Sequence, residues 1–175
     1  MALILFLHGA SSSGKSTLAR ELRKQADRPF LHLSIDHLRD SGAWDRAAYP
    51  NWQAARPAFF SGFHRAVAGF AEAGNDLILE HILDTAGWRT ELQTLLAGQD
   101  LLFVGVQTGL AELQRRETAR GDRPQGSAAH DFAQVHRGLS YDITVDGAAS
   151  VTANATRVLE ALKPPRPVSA FFDAG

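Results

Sequence analysis

Short, almost continuous apolar runs alternate along the chain with longer stretches in which apolar residues recur every three or four positions. The short runs are typical of strands buried on both faces of a parallel sheet, and the longer ones are typical of amphipathic helices. Five strands are predicted, at 2–8, 30–35, 76–83, 100–107 and 141–146. Their alternation with helices predicts an α/β fold with a parallel sheet.

The predicted helices have recognisable ends. The first follows the first strand and ends before Asp27-Arg28-Pro29, and another begins at Pro57 and ends at Gly74. We expect the second of these to bury one stripe, formed by Phe59, Phe63, Val67 and Phe70. Further helices are predicted at 87–97, 109–119, 127–137 and 149–162.

The pattern is typical of one domain, because no repeat, linker or low-complexity segment interrupts it. Residues 1–165 are predicted to form this domain, with a lid around 115–127. Residues 166–175 have no regular pattern and are predicted to be a C-terminal extension on the surface.

The amino-acid composition excludes several classes of protein. The 175 residues are enough to bury a core, and the absence of cysteine excludes disulfides and thiolate metal sites. A net charge of −1 gives no general attraction to nucleic acid or to an anionic membrane, so anion binding has to be local. The N-terminal apolar run lacks the basic residues of a signal peptide, and no run reaches membrane-spanning length. We therefore expect a cytoplasmic protein.

Residues 9–17, here called the phosphate segment, match the pattern G-x-x-x-x-G-K-[ST] directly after the first strand. Its glycines allow backbone N–H groups to point at phosphate oxygens, and the following helix adds the positive end of its dipole. Lys15 would supply a full charge to the β- and γ-phosphates, and the Ser16 hydroxyl would bind Mg²⁺. The alternative is a serine-rich surface turn. The predicted nucleotide-binding residues are Gly9, Ala10, Ser11, Ser12, Ser13, Gly14, Lys15, Ser16 and Thr17.

Two carboxylates come at the carboxyl ends of predicted strands, where an open α/β sheet binds its ligand. Asp36 either accepts the proton of an acceptor hydroxyl that attacks the γ-phosphoryl group or caps a helix. Glu80 is placed to hold Mg²⁺ together with Ser16, with water between. The adjacent His81 is either a hydrogen-bonded structural residue or part of the substrate pocket.

The string RRETARGDR at 115–123 places four arginines beside a glycine at a predicted helix end. Guanidinium groups suit phosphate oxygens, and the glycine permits a closing lid, although a solvated helix end would have the same composition. Arg120 and Arg123 are the expected phosphate contacts and join Lys15 and Asp36 in the predicted catalytic set. Arg116 is a predicted nucleotide contact that could instead stack on the adenine ring.

Taken together, these motifs resemble the chloramphenicol phosphotransferases, from residue 3 to about 160. The matching strings are GASSSGKS at 9–16, the strand-end Asp36, VGV at 104–106, RETARGDR at 116–123, VH-x-G at 135–138 and YD-x-x-VD at 141–146. The resemblance implies a P-loop kinase fold, a three-layer sandwich with a five-stranded parallel sheet and helices on both faces. It also implies ATP- and Mg²⁺-dependent phosphorylation of a small-molecule hydroxyl, with Asp36 in the position of the base.

The chain departs from the family pattern on the acceptor side. Glu80-His81 stands where the family has two adjacent acids, and the segment between Asp36 and Pro57 looks shorter than in the founding enzyme. In this segment, Trp44, Tyr49 and Trp52 either line the acceptor pocket or pack the segment onto the domain.

The acceptor therefore stays open. It is chloramphenicol-like by resemblance, with a sugar nucleotide or another small metabolite as alternatives. A non-catalytic ATP-binding module is the alternative from another class. The absence of an Asn-Lys pair argues against a guanine-nucleotide switch, and the charge balance against a nucleic-acid partner.

Overall fold

The five predicted strands pair in parallel in the computed structural model, which describes residues 1–120 and 126–173 and only the backbone of Arg120, Ser127 and Ala128. In chain order the strands are β1 (Leu3–His8), β2 (Leu31–Ser34), β3 (Leu77–His81), β4 (Asp100–Gln107) and β5 (Ile143–Asp146). Their order across the sheet is β2-β3-β1-β4-β5. Because β1 is central, the phosphate segment leaves the sheet at the middle of its carboxyl edge.

Helices cover both faces of the sheet. The described helices are α1 (Lys15–Gln25), α2 (Ile35–Asp40), α3 (Trp52–Glu72), α4 (Trp88–Leu95), α5 (Leu110–Arg120), α6 (Ser127–Gln134) and α7 (Val151–Glu160). Within the described ranges, no helix combines the length and the apolar character needed to cross a bilayer. This is the α/β sandwich with a five-stranded parallel sheet that the sequence predicts.

Alternate residues of the strands enter two cores, one on each face of the sheet. Leu5, Ile78 and Val104 pack with α1 and α7, where Leu22 and Val158 are fully buried. The second core contains residues of β1, β3 and β4 together with α3, α4 and the C-terminal tail, among them Ile4, Phe6, Leu79, Phe103, Phe63, Val67, Leu92 and Phe171.

Helix α3 begins earlier than predicted. The side chain of Asn51 accepts a hydrogen bond from Ala54 N at 3.1 Å, and this cap starts the helix at Trp52, five residues before Pro57. The predicted stripe is also corrected, since Phe63 and Val67 are buried whereas Phe70 is 43% exposed.

The prediction of a surface extension is wrong for the C-terminal tail around Phe171. Ala170–Phe172 form a 3₁₀ turn, and the Phe171 ring is completely buried, 5.0 Å from the ring of Phe6. Asp142 anchors the turn by accepting hydrogen bonds from Ser169 Oγ at 2.5 Å and from Ala170 N at 2.7 Å. A single buried aromatic residue in an irregular segment has no periodicity, so the sequence pattern could not reveal it.

We expect Phe171→Ala to lower the free energy of unfolding by about 3–5 kcal/mol, because it removes a fully buried ring and leaves a cavity. The matched control is Phe70→Ala, which truncates a half-exposed ring and should change stability by about 0.5 kcal/mol. Urea denaturation followed by circular dichroism measures both. Equal losses in the two variants would contradict the core role of the tail.

Candidate active site

A cavity of about 810 Å³ opens at the carboxyl edge of the sheet. This volume is in the range of sites for small molecules. Among the predicted site residues that line it are Ser11, Ser12, Ser13, Gly14, Lys15, Ser16, Thr17, Asp36, Glu80, His81 and Arg116. Residues from the ends of three strands and from α5 therefore meet in one place.

The phosphate segment is shaped by close backbone contacts. Gly9 has to be glycine because a Cβ atom there would lie 2.4 Å from Val106 O of β4. Gly14 has φ +101°, a left-handed conformation that favours glycine, and it starts α1 directly before Lys15. The Lys15 ammonium donates to Gly9 O and Ala10 O, each at 2.8 Å, which holds its charge over the segment.

The turns after β4 and β5 support the phosphate segment from the side, which the sequence did not indicate. Thr108 Oγ1 donates to Ser13 O at 3.0 Å, and a Cβ atom on Gly147 would lie 2.0 Å from the same oxygen. Arg116 links the phosphate segment to the turn after β5, because it donates to Ser12 O at 3.3 Å and to Gly147 O at 2.9 Å.

Ser16 and Glu80, the predicted Mg²⁺ ligands, contact each other in the cavity. Ser16 Oγ donates to Glu80 Oε2 at 2.9 Å, and His32 Nε2 lies 2.6 Å from Glu80 Oε1. Burial raises the pKa of Glu80, but the His32 hydrogen bond, the charge of Lys15 and the Ser16 hydrogen bond together bring it below its ordinary value. The carboxylate is therefore ionised at neutral pH. Sequence analysis missed His32, whose only signal is a polar residue inside an apolar strand.

These two oxygens fit Mg²⁺. They are the hard ligands that this ion prefers, and Mg²⁺ takes few of them because it keeps water and binds substrate phosphates. The described part of the chain has no cluster of three or more His, Cys, Asp or Glu side chains that could hold a metal ion.

Asp36 lies in the cavity at the start of α2. The cap of this helix is Ser34, whose Oγ accepts from Asp36 N at 3.2 Å, so the alternative that Asp36 is the cap is wrong. The Asp36 carboxylate is partly exposed and accepts from Arg39 Nη1 at 3.0 Å. The Asp36 carboxylate thus reaches the cavity from the end of β2.

The arginines of the predicted lid are only partly described. Arg116 lines the cavity and is held by Glu112 at 2.6 Å. Hydrogen bonds from Arg115 and Arg116 lower the pKa of Glu112 to about 2. Arg120 ends α5, but its side chain and all of Arg123 lie outside the described residues, so their phosphate contacts stay predictions.

Helix α6 returns to the phosphate segment through Asp131, a residue that sequence analysis missed. Asp131 Oδ2 accepts from Ser11 N at 2.9 Å. An isolated aspartate on a helix gives no sequence signal for such a contact, because the two residues are 120 positions apart. The contact places a carboxylate at the edge of the phosphate segment.

His81 is the hydrogen-bonded structural residue of the first alternative, and its role in a substrate pocket stays a prediction. It lines the cavity beside Phe60 and Ile82, and both ring nitrogens have partners, at 3.0 Å from His64 Nε2 and 3.0 Å from Leu83 N.

The three aromatic residues of the 44–52 region do not line the cavity. Trp44 stacks on Phe59 with ring centroids 4.7 Å apart, Trp52 lies 5.0 Å from Trp44, and Tyr49 lies 5.4 Å from Trp52. The structure therefore favours the packing alternative for these residues, and Phe60 takes the place on the cavity wall.

Three strings that carry the family resemblance meet in one partly buried cluster. Tyr141 OH lies 2.8 Å from His8 Nδ1 and 2.6 Å from His136 Nδ1. A Cβ atom on Gly105 would lie 2.8 Å from the Tyr141 ring, so the strings VGV, VH-x-G and YD-x-x-VD contribute parts of the same contact.

A family model described as chloramphenicol phosphotransferase-like protein matches residues 2–163. The chain belongs to this family. A relative from Mycobacterium tuberculosis strain H37Rv, provisionally named an O-phosphotransferase, is 25% identical over 179 residues, which cover 89% of this chain and 80% of the relative. The family resemblance that the sequence motifs indicate is thus confirmed.

Solved kinases share the fold of this phosphotransferase-like chain. APS kinase of Mycobacterium tuberculosis, in complex with AMPPNP and APS, matches with a TM-score of 0.65 and 20% identity over 92% of this chain and 97% of that chain. Shikimate kinase from Acinetobacter baumannii, in complex with shikimate, matches with a TM-score of 0.63 and 17% identity. The match covers 91% of this chain and 92% of that chain. Family and fold together indicate a small-molecule P-loop kinase.

We expect Gly147→Ala to displace the phosphate segment, because the new Cβ atom would overlap Ser13 O. The strain should lower the free energy of unfolding by about 1–3 kcal/mol and weaken the binding of an ATP analogue measured by calorimetry. Gly109→Ala is the matched control, since a Cβ atom there meets nothing within 4 Å. Identical behaviour of the two variants would show that the 147 turn does not shape the segment.

Proposed function

We propose that this protein is an ATP- and Mg²⁺-dependent O-phosphotransferase that phosphorylates a hydroxyl group of a small molecule, with a chloramphenicol-like acceptor. The observation that carries the proposal is the meeting of three groups in one cavity: the phosphate segment, the Ser16–Glu80 pair and the Asp36 carboxylate. A nucleotide-binding module without an acceptor has no use for Asp36 at this place.

The nucleotide half of the site consists of the phosphate segment and the cations beside it. The backbone amides at the start of α1 and the Lys15 ammonium are suited to the β- and γ-phosphates. Arg116 stands next to them and is oriented by Glu112, which leaves its guanidinium group close to the segment. Mg²⁺, held by Ser16 and through water by Glu80, would neutralise charge on the phosphates.

The acceptor half is centred on Asp36. Its carboxylate would accept the proton of the acceptor hydroxyl while the hydroxyl oxygen forms a bond to the γ-phosphorus. The bond between this phosphorus and the bridging oxygen breaks, and ADP leaves with the electron pair. Lys15 and the predicted arginines Arg120 and Arg123 would stabilise the charge that develops on the transferred group. Arg39 holds the Asp36 carboxylate in place from the next turn of α2.

Asp36→Asn is expected to lower kcat for acceptor phosphorylation about 10²- to 10⁴-fold, because the amide cannot take the hydroxyl proton. Affinity for MgATP should stay close to that of the wild type. An assay of acceptor-dependent ADP release, with chloramphenicol and a panel of other hydroxyl compounds, measures the first quantity, and calorimetry the second.

The matched control is Asp27→Asn, which changes a carboxylate that is 98% exposed and does not line the cavity, and it should keep most of the activity. A wild-type kcat in Asp36→Asn would show that Asp36 is not the general base. A wild-type protein that phosphorylates no compound of the panel would overturn the proposed function.

Lys15→Ala is expected to weaken MgATP binding about 10- to 100-fold, since hydrogen bonds to charged groups contribute about 1.5–3 kcal/mol. Lys24→Ala is the control, because this lysine is on the same helix with its side chain 74% exposed. Calorimetric titration with an ATP analogue compares the two. Unchanged affinity in Lys15→Ala would exclude the phosphate segment as the nucleotide site.

A further inference from the structure

A chain of side-chain hydrogen bonds connects α3 and α4 with the wall of the cavity. At one end, Glu91 accepts from Ser61 Oγ at 2.8 Å and from His64 Nδ1 at 2.9 Å. His64 Nε2 lies 3.0 Å from His81 Nε2, and Leu83 N donates to His81 Nδ1 at 3.0 Å. The chain thus begins at a partly exposed carboxylate and ends in the backbone that follows β3.

These contacts allow only one arrangement of protons. A backbone N–H can only donate, so His81 Nδ1 carries no proton and His81 Nε2 carries one. His64 Nε2 must then accept, which leaves the proton of His64 on Nδ1, where it is donated to Glu91. Both rings are neutral in this arrangement. Burial agrees with it, since it lowers the pKa of His64 and lowers that of His81 well below its ordinary value.

The chain also holds a strained turn. Leu83 has φ +49°, a left-handed conformation that is unfavourable for a residue with a branched side chain. Its N–H is satisfied by His81, and the preceding carbonyl, Ile82 O, accepts from His8 Nε2 at 2.7 Å. Burial lowers the pKa of His8 to about 3, so this ring is neutral as well. The backbone after β3 is therefore fixed at two successive residues.

The fixed turn and ring form one wall of the cavity, made of Phe60, His81 and Ile82. Because both nitrogens of His81 are bound to protein partners, the ring presents carbon atoms to the cavity and neither a donor nor an acceptor. The wall is apolar, although it contains a histidine next to the ionised Glu80. It suits an apolar part of a substrate.

We propose that His64 is a positioning residue for the acceptor. It does not line the cavity and is completely buried, but its contact with His81 Nε2 fixes the orientation of that ring and, through the ring, the turn at Leu83. The wall that results accepts the apolar ring or chain of a hydroxyl compound and directs its hydroxyl group towards Asp36. The inference rests on the proposed function, because it assigns the acceptor side of the same site.

Steady-state kinetics with MgATP and chloramphenicol as the probe test this role. His64→Phe keeps a ring but removes both hydrogen bonds, and it should raise the KM for chloramphenicol about tenfold or more while the KM for ATP stays within about twofold. His64→Gln has an amide that can both donate and accept, so it should recover a substantial part of the loss. Val67→Ala is the matched control, because it truncates a buried residue on the same helix that does not take part in the chain.

Nitrogen-15 NMR of the imidazole groups gives a readout that needs no acceptor. The wild-type protein should show neutral rings with fixed tautomers, Nδ1–H for His64 and Nε2–H for His81, and the His81 Nε2–H signal should lose the shift of a hydrogen-bonded proton in His64→Phe. If His64→Phe does not fold, His64→Gln and the wild-type spectrum still decide the question.

The outcomes separate this inference from the proposed function. Mixed tautomers in the wild-type protein, or an unchanged KM for chloramphenicol in a folded His64→Phe, overturn the positioning role alone. Equal rises of the KM for chloramphenicol and the KM for ATP would do the same, since they indicate general damage to the fold. No phosphorylation of chloramphenicol or of any other hydroxyl compound by the wild type overturns the proposed function and this inference with it.

Discussion

The tight fit of the phosphate segment between β4 and the turn after β5 is the constraint on which the site depends. Gly9 lies against Val106 O and Gly147 against Ser13 O, at distances that exclude even a methyl group. These contacts leave the amides at the start of α1 no freedom to turn away from the cavity. A site that binds phosphate through backbone N–H groups needs such support, because a flexible loop would have to be ordered each time a ligand binds.

Charge in the cavity is divided between two sides. Lys15 and Arg116 lie along the phosphate segment, which Glu80 meets through Ser16, whereas Asp36 stands at the end of β2 beside Arg39. Each acid has a cationic or polar partner, which orients its carboxylate. This separation suits a reaction in which one side stabilises phosphate charge and the other receives a proton, and both lie within one cavity because parallel strands end at the same edge.

Buried neutral histidines also fix the geometry of the cavity wall. In His64 and His81, a neutral ring donates through one nitrogen and accepts through the other, so a chain of such rings transmits orientation without placing a charge in the core. The chain also satisfies the backbone of a turn that the sequence would not adopt by itself, at Leu83. Residues of α3 and α4 in this way stabilise the strained turn at Leu83.

The sequence by itself determined what depends on neighbouring residues: the five strands, most helices, the glycine pattern of the phosphate segment and the positions of Asp36 and Glu80 at strand ends. It misplaced the start of α3 at Pro57 because the cap at Asn51 lies outside the apolar periodicity. Only the tertiary structure decided that Phe171 fills the core, that Asp131 reaches Ser11 across 120 residues, and that His64 meets Glu91 and His81. Such contacts depend on which helices pack side by side, and no local pattern of apolar and polar residues encodes a partner so distant in the chain.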